Sequence, residues 1–401
     1  MHRKYPKEKK PRSYTVKERQ HLDARARRGK CFKAGVLVGF VCAVSVLCAP
    51  RRITAATAQW DKLVTAAQKE GKVVVAAGGA MGNKTRRLVT EGFQKQFPGI
   101  QVEMTVGGGR DLAPRMLMER RAGRYLWDVY MGGTTTALSY LVPAGILDPI
   151  QPVLVLPEIT DKSRWLGGNF DFADDAAKYS LAFVGYVKPP FAFNSNLVKA
   201  KDFISYWDLL DPKWKGRIAL QDARRPGAGL GWVTFCYVQP ALGKEFLGRF
   251  FSTQDIKLVA DYRQLTEWVS KGDVAIGIGH SPDFYDEFKN KGLPLGEVTA
   301  DDLKEGSYIT AAAGSVSLVN RAPHPNAASV FINWLLTKDT QAAWSESSGY
   351  PSRRLDVPHG HLNPGVVPKQ QKLSLYIANY KENLTNRRDE IRAFLGTVLK
   401  K

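Results

Sequence analysis

Apolar residues along this chain recur in two spacings, one helical and one strand-like, and they alternate with each other. Trp60–Glu70 carries its apolar positions at helical intervals and closes on Gly71. Val73–Ala77 is a continuous apolar run ending in Gly78-Gly79, the pattern of a buried strand. Lys84–Phe97 sets Leu88, Val89, Phe93 and Phe97 on one helical stripe, and Pro98-Gly99 stops it. Ile100–Val106 alternates strictly, predicting a strand that runs into Gly107-Gly108-Gly109. A helix over Leu112–Ala122, a strand over Trp127–Met131 and a helix through Leu138, Leu141 and Val142 follow. This βαβαβα order predicts a parallel sheet with glycine-rich turns at its carboxyl edge.

The second half repeats the alternation. Residues 148–178 have weak periodicity and many turn formers. Tyr179–Val187 reads as a strand, Pro189-Pro190 interrupts it, and Phe191–Asn194 resumes. The proline pair marks a crossing into a second lobe. Ile218–Leu220 and Val274–Ile278 read as strands, and helices are expected near Leu242–Phe251, Tyr262–Lys271, Pro282–Lys291 and Asn326–Leu336. Ser315–Val319 is a strand that returns the chain to the first lobe. The expected fold is α/β in two lobes, 59–188 plus 310–401 forming lobe 1 and 189–309 forming lobe 2, each a mainly parallel sheet flanked by helices.

Charge changes the reading of the amino end. Residues 1–58 hold 15 of the 58 basic and 3 of the 38 acidic residues, so they carry +12 of the net +20 and the remainder carries +8. The basicity sits in a leader, whereas a nucleic-acid binder concentrates it in the folded body; no nucleic-acid partner is expected. Ala34–Pro50 is an uncharged run of 17 residues, short for a spanning helix and suited to a signal-peptide core. Ala56-Thr57-Ala58 offers a small-x-small cleavage site before Gln59, although Arg51-Arg52 leaves an uncleaved anchor open. Either way the body is exported to the periplasm or beyond. Of four cysteines only Cys236 lies beyond the leader, so no internal disulfide forms there.

The candidate chemistry lies at the glycine-rich turns. Gln221-Asp222 ends a strand, Arg224-Arg225 follow, and Pro226-Gly227-Ala228-Gly229 opens a helix. Unpaired amides at such a helix start, with Asp222, Arg224, Arg225 and Gly227 around them, suit an anion; a surface turn with two solvated arginines is the plain alternative. Gly78, Gly79, Gly108, Gly109 and Arg110 offer backbone donors and a guanidinium on the first lobe. Thr134 and Thr135 offer amides and hydroxyls, or simply cap a helix. The glycine run fails as a dinucleotide fingerprint, because Leu112 stands where the last glycine belongs. Gly279-His280-Ser281-Pro282-Asp283 parallels a hydrolase nucleophile elbow but has Asp283 where the turn needs glycine. No P-loop, HExxH or metal-spaced cysteine cluster is present, and no cofactor is expected.

Several segments, taken in order, resemble a known family. They are Trp60-Asp-Lys-Leu-Val through Val75, Phe97-Pro-Gly-Ile-Gln-Val102, Glu119–Arg124 leading to Asp128-Val129, Trp207–Gly216, Ala322–Ala328 and Phe331–Leu336. Together, over roughly residues 60–358, they resemble the extracellular solute-binding proteins of ABC importers, in the branch of ferric-iron, thiamine, polyamine and phosphonate binders. The resemblance implies a monomeric, two-lobed periplasmic clamp of type II topology. Such a clamp closes on a small-molecule ligand and delivers it to an ABC permease in the inner membrane. Ferric binders of this family use a tyrosine pair; this chain has no Tyr-Tyr dipeptide, and Tyr308 stands alone near the expected place. With Arg110, Arg224, Arg225, Asp222 and His280 at the cleft turns, an anionic or polar solute is expected. The alternatives are ferric iron or an iron–anion complex and, less favoured, a secreted hydrolase built on Ser281.

Overall fold

A computed structural model of the chain describes residues 49–399 except Gly79, Ala80 and Pro226, and leaves out the side chains of residues 49–56, Arg110 and Asp283. The leader as far as Cys48, with most of its apolar run, lies outside the described residues. The chain divides after Arg52, and both lobes lie in the second unit, Ile53–Lys401. The predicted first helix begins earlier than expected, at Ala49, and runs through the proposed cleavage site to Glu70. Among the described residues no helix is long and apolar enough to cross a membrane.

In chain order the strands are β1 (Lys72–Gly78), β2 (Gln101–Gly107), β3 (Val129–Gly132), β4 (Leu147–Asp148), β5 (Asp171–Phe172), β6 (Leu181–Ala182), β7 (Tyr186–Val187) and β8 (Phe191–Asn194). There follow β9 (Ile218–Gln221), β10 (Lys257–Val259), β11 (Ile276–Ile278), β12 (Leu295–Val298), β13 (Ser307–Thr310), β14 (Ser315–Val319) and β15 (Tyr376–Ala378). The first lobe is a sheet ordered β2-β1-β3-β14-β6-β5, with β4 beside β14. β1 is parallel to β2 and β3, and β14 pairs antiparallel with β3 in the same sheet. The second lobe is a sheet ordered β10-β9-β11-β8-β12, in which β9, β10 and β11 are parallel and β8 runs antiparallel to both its neighbours, β11 and β12. The expected long strand over 179–187 is two short ones. β6 belongs to the first lobe, while β7 joins β13 and β15 in a small sheet between the lobes.

Each large sheet has its own core. Val73, Val75, Phe93, Phe331, Trp334 and Trp344 pack on the first; Phe191, Tyr206, Trp232, Phe235, Phe246 and Phe250 pack on the second. Buried Asp128 ties the first lobe together by accepting from the Val74 amide at 2.7 Å and from the His324 amide and Nδ1 at 2.8 and 2.9 Å. The last helix is Arg388–Val398. Ile391 and Leu395 of this helix pack in the second core. Burial of an i, i+4 apolar pair outweighs proximity along the chain.

The segment before that helix is pinned to the first lobe by Asp171. Its carboxylate accepts from Tyr380 and Lys381 and from Arg353 Nη2 at 2.5 Å, while Arg353 Nη1 donates to the Tyr380 hydroxyl at 2.9 Å. Burial alone would raise the Asp171 pKa, but Arg353 and then Lys381 hold it below the ordinary 3.8. Folding therefore favours the ionised form, and its contribution is present above that pH and lost as pH falls through the lowered value. Asp171→Asn is expected to destabilise the protein by about 3 kcal/mol at pH 7. The deficit should shrink below pH ~4 in urea titrations, as the wild-type carboxylate protonates.

Glycine positions give a second test. A Cβ on Gly229 would sit 1.8 Å from the Gln221 carbonyl oxygen, whereas one on Gly248, inside the helix Gly243–Thr253, meets nothing within 4 Å. Gly229→Ala should cost about 1–3 kcal/mol, and Gly248→Ala should stabilise by about 0.5–1 kcal/mol, both read from denaturation midpoints.

Candidate functional site

The parallel strands of both lobes end toward a shared cleft, where a cavity of about 570 Å³ is open. From the first lobe it is lined by Gly109, Gly133, Thr134, Thr135, Thr136 and Tyr140. The helix Ala228–Val238 contributes Leu230, Gly231 and Thr234, with Gly227 at its cap. Thr310 and Ala312 form the floor. Gly109 is required by packing, since a Cβ there would come within 1.9 Å of the Thr136 hydroxyl. Its absence lets the helix Gly109–Arg121 start against the turn that carries the threonines. A smaller cavity of about 170 Å³ lies past Ala313 and Gly314, bordered by Met81, Thr85 and Trp344.

Of the residues predicted from sequence, Gly109, Thr134, Thr135 and Gly227 line the main cavity. Gly78 does not; its bare Cα lets β1 approach Gly132, where a Cβ would stand 3.1 Å from the Gly132 Cα. Gly108 caps the helix Gly109–Arg121 in extended conformation. Gly79 and the Arg110 side chain lie outside the described residues.

The stretch around Asp222 is engaged by its own neighbours. Asp222 accepts from its neighbour Arg224 through Nε at 2.8 Å and Nη2 at 2.9 Å, and Arg225 Nε stands 3.8 Å away. Hydrogen bonding from Arg224 holds the Asp222 carboxyl below the usual range. Asp222, Arg224 and Arg225 form a cluster whose guanidiniums face solvent, and none of the three lines the cavity. Two of the helix-start amides are also taken: Ala228 N–H donates to the Tyr262 hydroxyl at 3.1 Å and Gly229 N–H to Gln221 Oε1 at 2.8 Å. Side-chain capping has satisfied these donors, which the sequence left free.

His280 and Tyr308 are buried and do not line the main cavity. His280 Nε2 lies 2.6 Å from Glu297 Oε1, and its buried Nδ1 has no protein partner. Burial lowers the imidazole pKa despite Glu297. The hydrolase alternative needs a base on Ser281; His280, the imidazole beside it in the chain, is turned to Glu297 instead. Tyr308 stands behind the cleft wall, its hydroxyl donating to the Ala228 carbonyl at 3.4 Å, and burial pushes that hydroxyl's pKa up. Among the described residues no group of three or more His, Cys, Asp or Glu side chains could hold a metal ion.

The residues missed from sequence include Tyr140, Leu230, Gly231, Thr234, Thr310 and Ala312 near the predicted turns and, from the carboxyl-terminal segment, Asn379, Tyr380, Thr385, Arg388, Asp389 and Arg392. Arg388 Nη1 donates to Thr135 Oγ1 across the cavity at 2.8 Å. Among the described residues no carboxylate lies within 4.0 Å of its guanidinium, whereas Arg392 donates to Asp389 at 2.9 Å. Burial, then the neighbouring Arg392, lowers the Arg388 pKa. The signal was available: Arg388 and Arg392 repeat at i, i+4, as do Ile391 and Leu395 one turn-face away.

No curated protein sequence matches the chain. Solved structures match its fold. IdiA (FutA) from Trichodesmium, in complex with iron and citrate, is 17% identical, with 82% of this chain and 100% of that one covered at a TM-score of 0.61. Iron-bound HitA from Pseudomonas aeruginosa is 19% identical over 82% and 99% of the two chains, TM-score 0.59. AfuA from Actinobacillus pleuropneumoniae with fructose-6-phosphate is 18% identical over 82% and 99%, TM-score 0.57. At these identities the likeness is one of fold. The pattern of the bacterial extracellular solute-binding proteins matches residues 78–342. Two lobes joined by short strands, a cleft at their carboxyl edges and that match agree: the chain belongs to the bacterial extracellular solute-binding protein family, the solute-capturing component of ABC importers.

Proposed function

We propose that this protein captures a small anionic or zwitterionic solute in the main cleft and presents it to its ABC permease as a monomer in the periplasm. The observation that carries the reading is Arg388, a half-buried cation facing the cavity with a threonine but no carboxylate as its partner among the described residues. A partly desolvated guanidinium without a counter-ion offers its remaining donors to an anion, and a ligand carboxylate or phosphate would pair with them. Thr134, Thr135 and Thr310 line the same cavity, and their hydroxyls suit oxygen atoms of such a ligand. The ligand would touch Thr134 and Thr135 on one lobe and the helix Ala228–Val238 on the other, and so favours the closed clamp. The lobes we propose are 59–188 with 310–381 and 189–309 with the last helix.

Iron, carried by two of the structural neighbours, would enter here as an anionic complex such as ferric citrate, since Arg388 and Arg392 repel a bare cation. Thermal unfolding with phosphate, citrate, ferric citrate, fructose 6-phosphate or spermidine tests the reading. One of the anions should raise the midpoint, by about 2.7 kcal/mol of stabilisation at a hundredfold excess over its Kd. Arg388→Gln should abolish that shift, while Arg224→Gln with Arg225→Gln should leave it intact. A shift with spermidine alone overturns the anion reading.

A further inference from the structure

The stretch after residue 356 lies beyond the family match and does not stay with either lobe. It begins on the first, where His359 Nε2 accepts from the Ser352 amide at 3.0 Å. It passes to the second, where Asn363 donates to Glu297 Oε2 at 3.2 Å and Lys369 and Lys372 both pair with Asp301, Lys372 at 3.0 Å. It passes through the small sheet between the lobes, where β15 lies parallel to β13, and reaches the first lobe, where Tyr380 and Lys381 hold Asp171. It ends on the second, where the Tyr237 hydroxyl donates to Glu390 at 2.6 Å and Ile391 and Leu395 enter the core. From that last helix Arg388 reaches back over the cavity to Thr135.

A clamp of two lobes opens by bending at the chain segments that join them. Here β7 and β13 join the lobes, and the terminal stretch crosses between them three further times. We infer that residues 357–398 form a clasp that holds the ligand-free lobes together, with Arg388–Thr135 as the bond that spans the cleft. Each exposed ion pair is weak by itself. On one short stretch of chain they reinforce one another, because every contact kept raises the effective concentration of the next. Opening must break the Asp301 pairs and the Arg388 bond while Asp171 and the Ile391–Leu395 contacts keep the clasp anchored at both ends. The inference concerns the protein without ligand, so it stands or falls apart from the anion reading.

Spin labels on Arg121→Cys, exposed on the first lobe, and Asn290→Cys, exposed on the second, report the distance between lobes. Cys236 is buried and stays unlabelled, and Cys31, Cys42 and Cys48 are replaced by serine in the labelled protein. In the ligand-free protein a single short-distance population is expected. Lys369→Ala, Lys372→Ala and Arg388→Gln combined should add a longer-distance population and make the β15 amides exchange about tenfold faster. None of the three side chains belongs to either core, so circular dichroism should be unchanged. A combined variant whose distances superimpose on those of the parent, or a parent already open, overturns the clasp.

Discussion

One half-buried carboxylate organises the course of the chain between the lobes. Asp171 sits on the edge strand of the first sheet and gathers Arg353, Tyr380 and Lys381 from two later segments. An ionised group so placed is tolerable only when fully partnered, so it dictates where residues 380 and 381 must lie. Once they lie there, the chain has one course left. It continues along the cleft, where Tyr380 and Thr385 form part of the wall, and delivers Arg388 opposite Thr135. The cleft is thus shaped by a contact made at its margin.

The fold was largely legible in the sequence, and for local reasons. Strands such as Ile100–Val106 and helices such as Tyr262–Lys271 announce themselves by period and by the glycines and prolines that end them. β12, β13 and β15 did not, because Gly296, Gly306 and mixed polar neighbours blur the alternation, and pairing with a partner far along the chain decides their state. The break inside residues 179–187 was equally hidden: the run is largely apolar, yet its two ends pair with different sheets.

The site was less legible, and Arg224 shows why. It had the composition of an anion site, but Asp222 two residues away claimed it, and Gln221 and Tyr262 claimed the nearby amides. A charge close to its complement along the chain is usually spent on it. Arg388 has no carboxylate against it among the described residues, and only the folded course of the chain places it at the cleft. Sequence reading finds donors; it does not find which of them remain unclaimed after folding.

The position of β14 has a further consequence, for biogenesis. It lies in the middle of the first sheet, between β3 and β6, yet it is made after every strand of the second lobe's sheet. That second sheet draws all its strands from the continuous stretch 191–298 and can complete itself as soon as the stretch emerges. The first cannot close until residue 319 has appeared, leaving a gap at its centre meanwhile. A chain ordered this way keeps its amino-terminal half unfinished through most of its synthesis, a condition that suits threading through a translocon.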